Sequence, residues 1–145
     1  MPTVHEVLIN KGNKVYSVSP AATVLQATEK MNQHKVGCLV VMDEGRIVGI
    51  FTERDILKRV VGEERRPSEI LVAEVMTTDV VCCEPDAEID EVGALMKERR
   101  IRHVPVCDSE SQLLGLISMG DVNAHYAAAQ QAQIHFLNEY IYGRV

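Results

Sequence analysis

One eight-residue pattern occurs twice in this chain, and it restricts the fold more than any other feature. GIFTERDI spans residues 49–56 and GLISMGDV spans residues 115–122. Each has a glycine, two apolar residues, a hydroxyl residue, two variable residues, an aspartate and a final apolar residue. Upstream residues that match at a spacing of 65 are Pro20 and Pro85, Ala22 and Ala87, Met31 and Met96, Val41 and Val106, and Asp43 and Asp108. The chain therefore contains two copies of one unit, and we expect two similar halves.

Each copy has the pattern of a β-α-β-β-α unit. A short β-prone segment that ends at a proline precedes a stretch with apolar residues at helical spacing. Two apolar segments around a polar turn then predict a β-hairpin, and a second helix follows the hydroxyl residue. The predicted segments are 15–18, 23–33, 38–42 and 46–51 in the first copy and 80–83, 88–99, 103–107 and 113–117 in the second. A unit of about 60 residues has a thin core, so we expect the copies to pack about a pseudo-twofold axis.

Charge and composition exclude several functional classes. The net charge of −6 and the pI near 5.3 argue against a nucleic-acid partner. No apolar run approaches the roughly 18 residues that cross a bilayer, and the amino terminus lacks a signal-peptide pattern. The four cysteines form no C-x-x-C pair, which argues against a zinc site. We therefore expect a cytoplasmic protein without a nucleic-acid, membrane or metal partner.

The hydroxyl residue and the aspartate of the octapeptide have two interpretations. Structurally, Thr52-x-x-Asp55 and Ser118-x-x-Asp121 are capping boxes, in which each side chain bonds the other residue's backbone amide. As a ligand site, a strand-to-helix turn offers free amides to a phosphate, and a nearby carboxylate accepts the hydroxyls of a ribose. The preceding glycine permits close approach, and both copies use aspartate although glutamate caps equally well. The octapeptide is therefore able to hold a nucleotide.

The residues described so far resemble a tandem pair of CBS (cystathionine β-synthase) domains. The resemblance rests on the repeated unit, on its G-h-h-[ST]-x-x-D-h ending and on the segment RIRHVPVCD, and extends from about Val7 to Tyr126. It implies an α/β (α+β) fold with CBS repeats at residues 1–66 and 67–127 and a carboxy-terminal helix at residues 128–145. It also implies a stand-alone regulatory module that binds adenosine-containing ligands (AMP, ADP, ATP, NAD or S-adenosylmethionine) between the repeats. We expect AMP as the regulatory ligand and no catalytic cofactor.

In the family each cleft combines residues of both repeats, so the resemblance assigns two clefts here. The first is expected to contain Ile50, Thr52, Asp55, Val80, Val81, Arg102 and His103. The second is expected to contain Ser118, Asp121, Leu116, Val15, Tyr16, Gly37 and Cys38. Gly37 and Cys38 stand where the first cleft has Arg102 and His103. Because an arginine forms charge-assisted bonds with phosphate, we expect the first cleft to bind phosphate-bearing nucleotides more tightly. Arg99 and Arg100 are expected to be solvated surface.

The carboxy-terminal segment is rich in residues that favour helix. Ile134, Leu137 and Ile141 are separated by three and four residues, and Gly143 supplies a stop. An amphipathic helix beyond a completed domain covers either the domain itself or a second copy of the chain. CBS pairs commonly form homodimers, so we expect a homodimer.

Two other functions remain open at this stage. The chain is a ligand-free interaction module if its octapeptides are capping boxes alone. It is an enzyme if His103 promotes hydrolysis of a bound phosphate, but the sequence shows no nucleophile paired with a base and no paired carboxylates. We therefore expect a non-catalytic sensor of adenosine ligands whose downstream target is unknown.

Overall fold

The computed structural model describes residues 2–142, with the backbone alone for residues 139–142. The first part of the chain forms α1 (Val4–Lys11), β1 (Ser17–Val18), α2 (Val24–His34), β2 (Cys38–Asp43), β3 (Arg46–Thr52) and α3 (Glu53–Ile56), which continues as a π-helical turn (Leu57–Val61). The second part forms a 3₁₀ turn (Pro67–Glu69), α4 (Val72–Val75), α5 (Ile89–Arg99), β4 (His103–Cys107), β5 (Leu113–Ser118) and α6 (Met119–Tyr142). The predicted mixture of helix and strand is confirmed.

Both repeats contain the predicted antiparallel hairpin. Val40 lies opposite Ile50 in β2 and β3, and Pro105 lies opposite Leu116 in β4 and β5. The predicted first strands are shorter than expected. In the first repeat only β1 pairs, parallel to β2, and in the second repeat Cys83 forms a single parallel bridge. The strand predicted over residues 80–83 is therefore wrong, because its first residues line a cavity instead of pairing with β4.

The first helix of each repeat, α1 or α4, packs on the other half of the molecule. The Val4 amide of α1 donates to the Ala87 carbonyl at 2.8 Å, and the Val72 amide of α4 donates to the Ala22 carbonyl at 2.8 Å. These are matching bonds, because Ala22 and Ala87 are equivalent residues of the repeat. Thus α1 packs on the second half and α4 on the first. The expected boundary between residues 66 and 67 separates the two copies in the sequence. In the structure, each core also contains a helix from the other copy.

Each half has its own apolar core. The helix residues predicted to face inward are buried, as is shown by Ala27 and Ile89, which are both 0% exposed. The first core contains Val24, Ala27, Met31, Leu39, Val41, Phe51, Val60, Ile70, Val72 and Val75. The second core contains Val4, Leu8, Ile89, Val92, Met96, Val104, Val106, Ile117 and Val122. With two cores the seam between the halves is left for polar residues and a cavity.

Helix α6 begins at the second octapeptide and continues without a break past residues 127 and 128. The Tyr126 hydroxyl donates to Asp90 of α5 at 2.7 Å, and beyond that point the side chains up to residue 138 are exposed. Three of the apolar ones are Ile134, Phe136 and Leu137. The side chain of Ile141 and the predicted stop at Gly143 lie outside the described residues. Within residues 2–142, no helix combines the length and the apolar character needed to span a membrane.

Candidate functional site

A cavity of about 170 Å³ lies between the two halves, where the end of β3 meets the beginning and the middle of the second repeat. All seven residues expected in the first cleft line it, namely Ile50, Thr52, Asp55, Val80, Val81, Arg102 and His103. Seven further lining residues are Gly37, Glu53, Arg54, Thr77, Asp79, Arg100 and Ile101. The structure therefore brings the expected first cleft together, and the role of its residues in binding remains a prediction.

Asp55 is the buried carboxylate of this cavity, at 6% exposure. Its Oδ2 accepts hydrogen bonds from the Thr52 amide at 3.0 Å and the Thr52 hydroxyl at 3.3 Å, and its Oδ1 accepts one from the Thr77 hydroxyl at 3.1 Å. The Asp55 amide donates back to the Thr52 hydroxyl, which completes a capping box. A carboxylate has about four acceptor sites, so Oδ1 has room for one more donor. The one hydrogen bond that the Thr52 hydroxyl donates is long, so this hydroxyl is able to turn to a ligand.

Basic residues also line the cavity. Arg54 donates from Nη1 to the Arg100 carbonyl at 3.2 Å, and Arg102 lines the same space. Arg100 ends α5 in the left-handed conformation with φ of 56°. Arg100 is exposed, as expected for solvated surface, and it also borders the cavity. Arg54 was not predicted at all, since its octapeptide position varies between the two copies.

His103 is partly buried between the halves, at the start of β4. Burial lowers its pKa below the usual value, the positive charge of Arg102 lowers it further, and the charges of Glu53 and Asp121 oppose that change. At neutral pH the ring is therefore mainly uncharged and offers one N–H donor. An anion beside it would favour the charged form.

Gly37 does not lie where it was expected, and the role of Cys38 in the second cleft stays a prediction. Gly37 lines the first cavity, where a Cβ atom would lie 2.9 Å from Oε1 of Glu53, and its carbonyl accepts a bond from the Glu53 amide. Cys38 is buried at 4% exposure and lies opposite Thr52 in the hairpin. Burial raises the pKa of its thiol to about 12, and the charge of Asp55 contributes. The assignment of Gly37 to the second cleft is corrected, because the hairpin register places it beside its own octapeptide.

The second octapeptide is in contact with α1. Ser118 and Asp121 form the same reciprocal cap, with bonds of 2.8 Å and 3.1 Å. Lys11 donates from Nζ to Oδ2 of Asp121 at 2.6 Å and to the Leu116 carbonyl at 2.8 Å. A Cβ atom at Gly115 would lie 2.8 Å from the Leu8 side chain. The protein's own amino-terminal helix thus fills the space beside Asp121 and neutralises its charge.

Tyr16, expected to seat a base in the second cleft, has contacts within its own half. Its ring stacks on His34 with the ring centres 3.9 Å apart, and Nζ of Lys14 lies 5.3 Å from the centre of that ring. Val15, which precedes it, is partly buried. The contacts of Asp121 that the structure describes come instead from Ser118 and Lys11.

The space beside each octapeptide is called a seam here, the first at Asp55 and the second at Asp121. The two seams differ in the residue from the other half of the molecule that donates to the aspartate. A Cβ atom at Gly49 would lie 2.9 Å from the Thr77 carbonyl, just as one at Gly115 would meet α1. Thr77 also pairs with Ile50 through two backbone bonds and donates its hydroxyl to the carboxylate of the first octapeptide. In the second seam the donor is the cation of Lys11. Thr77 is neutral and does not compensate the charge of Asp55, whereas Lys11 forms an ion pair with Asp121.

Three of the four cysteines line a separate cavity on the far side of Val80. These are Cys82, Cys83 and Cys107, and burial raises the pKa of Cys83 to about 11 and that of Cys107 to about 12. Protonated thiols are poor nucleophiles, so the role indicated for Cys83 and Cys107 is packing. Within residues 2–142 no group of three or more His, Cys, Asp or Glu side chains is arranged to hold a metal ion.

Two halves with exchanged leading helices and a cavity between them define a tandem-repeat module. The CBS domain family model matches residues 4–62 and 72–127. The chain therefore belongs to the CBS domain family. It is 32% identical over 119 residues to the CBS domain-containing protein YhcV of Bacillus subtilis, covering 82% of this chain and 84% of that protein. It spans only 56% of a Methanopyrus kandleri relative, to which it is 33% identical.

Solved structures agree with this assignment. A protein with CBS domains from Burkholderia ambifaria superposes with a TM-score of 0.85 at 40% identity, covering 89% of this chain and 96% of that one. A hexameric CBS-CP12 protein from bloom-forming cyanobacteria has a TM-score of 0.75 at 29% identity, covering 83% and 66%. The CBS domain pair of protein MJ0100 was solved with 5-methylthioadenosine and S-adenosyl-L-methionine, and at 22% identity and a TM-score of 0.75 over 89% and 98% it shares the fold.

Proposed function

We propose that this chain is a non-catalytic regulatory module that binds an adenosine phosphate in the first cavity. AMP is the ligand that we expect. The observation that supports this function is the cavity that joins Asp55, Val80 and Arg102. These residues supply a carboxylate, an apolar surface and a cation from both halves of the molecule. Two compounds that contain adenosine occur in the related MJ0100 structure, which makes the adenosine part the first choice.

The ligand parts correspond to different walls of the cavity. The adenine ring lies against Ile50, Val80 and Val81, where an aromatic ring buries apolar surface. A ribose hydroxyl donates to the free acceptor site of Asp55. The phosphate lies beside Arg102, whose fork of donors suits its oxygen atoms. His103 donates a hydrogen bond to the same phosphate and gains a proton as the anion binds.

The size of the cavity fits the nucleoside better than the whole nucleotide. Pockets that enclose a drug-sized ligand have volumes of about 300 Å³ or more. The cavity here, at about 170 Å³, is smaller. The base and sugar are therefore enclosed, and the phosphate extends towards the arginines at the rim.

The second seam does not bind phosphate in this proposal. Lys11 already compensates the charge of Asp121, and Leu8 occupies the space against Gly115. A nucleotide would have to displace α1, and Val4 and Leu8 of that helix belong to the second core. One ligand per chain is the expected stoichiometry.

Regulation follows from where the ligand binds. It contacts β3 and α3 of one half and residues 80–81 and 102–103 of the other, so it favours one angle between the halves. A ligand shifts such an equilibrium only by its difference in affinity for the two states. We further propose that the signal passes to a homodimer through exposed apolar residues of α6, which are Ile134, Phe136 and Leu137, and that the protein works in the cytoplasm.

The alternative is a ligand-free interaction module. It is favoured by one observation, that both capping boxes are complete without a ligand. A thermal-unfolding series separates the two functions, with adenosine, AMP, S-adenosylmethionine and GMP as ligands. A ligand at about 100 times its dissociation constant stabilises the fold by about 2.7 kcal/mol. We expect stabilisation by AMP and little by GMP, and the absence of any shift with all adenosine compounds would favour the interaction module.

A further inference from the structure

The cavity lined by three cysteines has no part in the proposed function. It has a volume of about 860 Å³, and its lining residues come from both hairpins and from the segment between residues 78 and 84. Cys82 and Cys83 belong to that segment, and Cys107 is the last residue of β4. Three thiols from two separate parts of the chain therefore meet at one space.

Backbone hydrogen bonds hold the segment with Cys82 and Cys83 against β4. The Cys83 amide donates to the Pro105 carbonyl, and the Cys107 amide donates to the Cys83 carbonyl, each at 2.9 Å. On this edge the Cys82 thiol is in hydrogen-bond contact with the Cys107 thiol. A disulfide requires two cysteine side chains that face each other at short range, and this contact makes the two sulfur atoms neighbours.

Cys82 and Cys107 differ in their access to solvent. Cys82 is exposed and belongs to no helix or strand, whereas Cys107 is buried, at 8% exposure. Burial raises the pKa of Cys107 to about 12, and the hydrogen bond with Cys82 contributes. Cys107 therefore packs in the reduced protein, and an oxidant in solution reaches Cys82 first. Cys107 is then the second thiol to react, with the sulfur of Cys82 already beside it.

We propose that Cys82 and Cys107 form a reversible disulfide, which makes this module sensitive to small disulfide oxidants. In the first step the Cys82 thiolate attacks one sulfur of the oxidant, and a mixed disulfide forms as one small thiol leaves. The Cys107 thiolate then attacks the Cys82 sulfur, and the second small thiol leaves. The two protein thiols lose two electrons and two protons, and the oxidant gains both.

The proposed bond is linked to the first cavity through two valines. Val80 lines both cavities, and Val81, which also lines the first one, directly precedes Cys82. Formation of the bond draws Cys82 towards β4, so these valines move away from the space proposed for adenine. AMP then loses apolar contact and binds more weakly. This effect rests on the proposed function, whereas formation of the disulfide does not.

Oxidation of the whole chain with cystamine tests the proposal. Cystamine is a cationic disulfide, and three of the four charged residues that line the cavity are acidic, namely Glu84, Asp108 and Glu110, so their charge favours its approach. We expect the wild-type chain to lose two of its four thiols without keeping a cystamine fragment. Peptide mapping should give one link, between Cys82 and Cys107, and a dithiol reductant should restore all the thiols.

Two serine variants identify the residues involved. Cys82→Ser should give no linked peptide, and because Cys82 is exposed this variant should keep its fold. Cys83→Ser is the matched control, since it removes a thiol of the same cavity that lies outside the Cys82–Cys107 contact, and it should form the same link as the wild type. A stable cystamine adduct on Cys82, a link between Cys82 and Cys83, or a Cys83→Ser variant without the link would overturn the proposal.

Isothermal titration of AMP into the oxidised and the reduced wild-type protein tests the effect on the first cavity. We expect the oxidised form to bind AMP at least about threefold more weakly, and we expect no such difference in Cys82→Ser after the same treatment. Equal affinity of the two wild-type forms would overturn the effect on the ligand. If the reduced protein does not bind AMP, the proposed function fails, and the linked peptide still decides whether the disulfide forms.

Discussion

Removing the charge of Asp55 without changing the shape of its side chain is the sharpest test of ligand binding in the first cavity. The substitution Asp55→Asn keeps an oxygen that accepts the Thr52 amide, so the helix cap survives. It removes the negative charge that faces the cavity. We therefore expect ligand affinity to change more than folding stability.

The size of the effect follows from the bonds involved. Hydrogen bonds to a charged group contribute about 1.5–3 kcal/mol, and those between neutral groups about 0.5–1.5 kcal/mol. Asp55→Asn weakens one hydrogen bond to the ribose and removes the attraction between the carboxylate charge and the sugar hydroxyls. Together these losses amount to about 2 kcal/mol, or a loss of roughly 30-fold in AMP affinity. The fold should lose only about 1 kcal/mol, because the Thr77 hydroxyl meets an amide in place of the carboxylate.

Asp121→Asn is the matched control. It changes the equivalent residue of the second octapeptide and breaks its pair with Lys11, whose side chain is 34% exposed against 20% for Asp121. Partly exposed pairs of this kind contribute about 0–1 kcal/mol to stability. We expect AMP affinity in this variant to stay within about twofold of the wild type.

Isothermal titration gives both affinities, and urea unfolding shows that each variant is folded at the temperature of the titration. Binding of AMP by Asp55→Asn within about threefold of the wild type would refute a ribose contact at Asp55. The reasoning is refuted as well if Asp121→Asn weakens AMP binding as much as Asp55→Asn does.

Three further predictions concern packing, pH and assembly. Gly49→Ala should lower the free energy of unfolding by roughly 1–3 kcal/mol in urea, because the new Cβ would lie 2.9 Å from the Thr77 carbonyl; no change would contradict the packing of the seam. AMP affinity should rise between about pH 8 and pH 6 more in the wild type than in His103→Gln, because the pKa of His103 is lowered in the free protein and raised by the phosphate. Parallel pH profiles would contradict this role. Phe136→Glu should shift the protein from dimer to monomer in light scattering, since Phe136 is 66% exposed; an unchanged mass would exclude a dimer contact at Phe136.

The parts of the fold that depend on local patterns were predictable. The repeat spacing placed both hairpins, and the apolar spacing of α2 and α5 identified their buried sides, as Ala27 and Val92 show. The first strand of the second repeat was not predictable from its β-prone residues. Its backbone forms one bridge at Cys83, because the residues before it line the seam.

Helix α1 was missed although the sequence carries its pattern. Thr3 and Glu6 form a capping box, and Gly12 ends the helix with φ of 96°. Aligning Val4 with Val72 would have revealed it as the equivalent of α4, with a longer connection to the next strand. The sequence alone does not place Lys11 on Asp121, because that contact joins residues 110 positions apart and depends on the exchange of helices between the halves.

The candidate site shows the same division. The octapeptide identified Thr52 and Asp55 because the pattern is repeated, and the resemblance to CBS domains supplied the residues from the other half. Arg54 and Arg100 were not identified as part of the site, because their place depends on the tertiary contact in which one donates to the carbonyl of the other.

A structure from crystals grown with AMP tests most directly the central claim, which is that the nucleotide binds in the first cavity. We predict one nucleotide per chain, with its ribose at Asp55, its phosphate at Arg102, and Lys11 still bonded to Asp121. A nucleotide bound at Asp121 with α1 displaced, or a first cavity without nucleotide at saturating AMP, would contradict it.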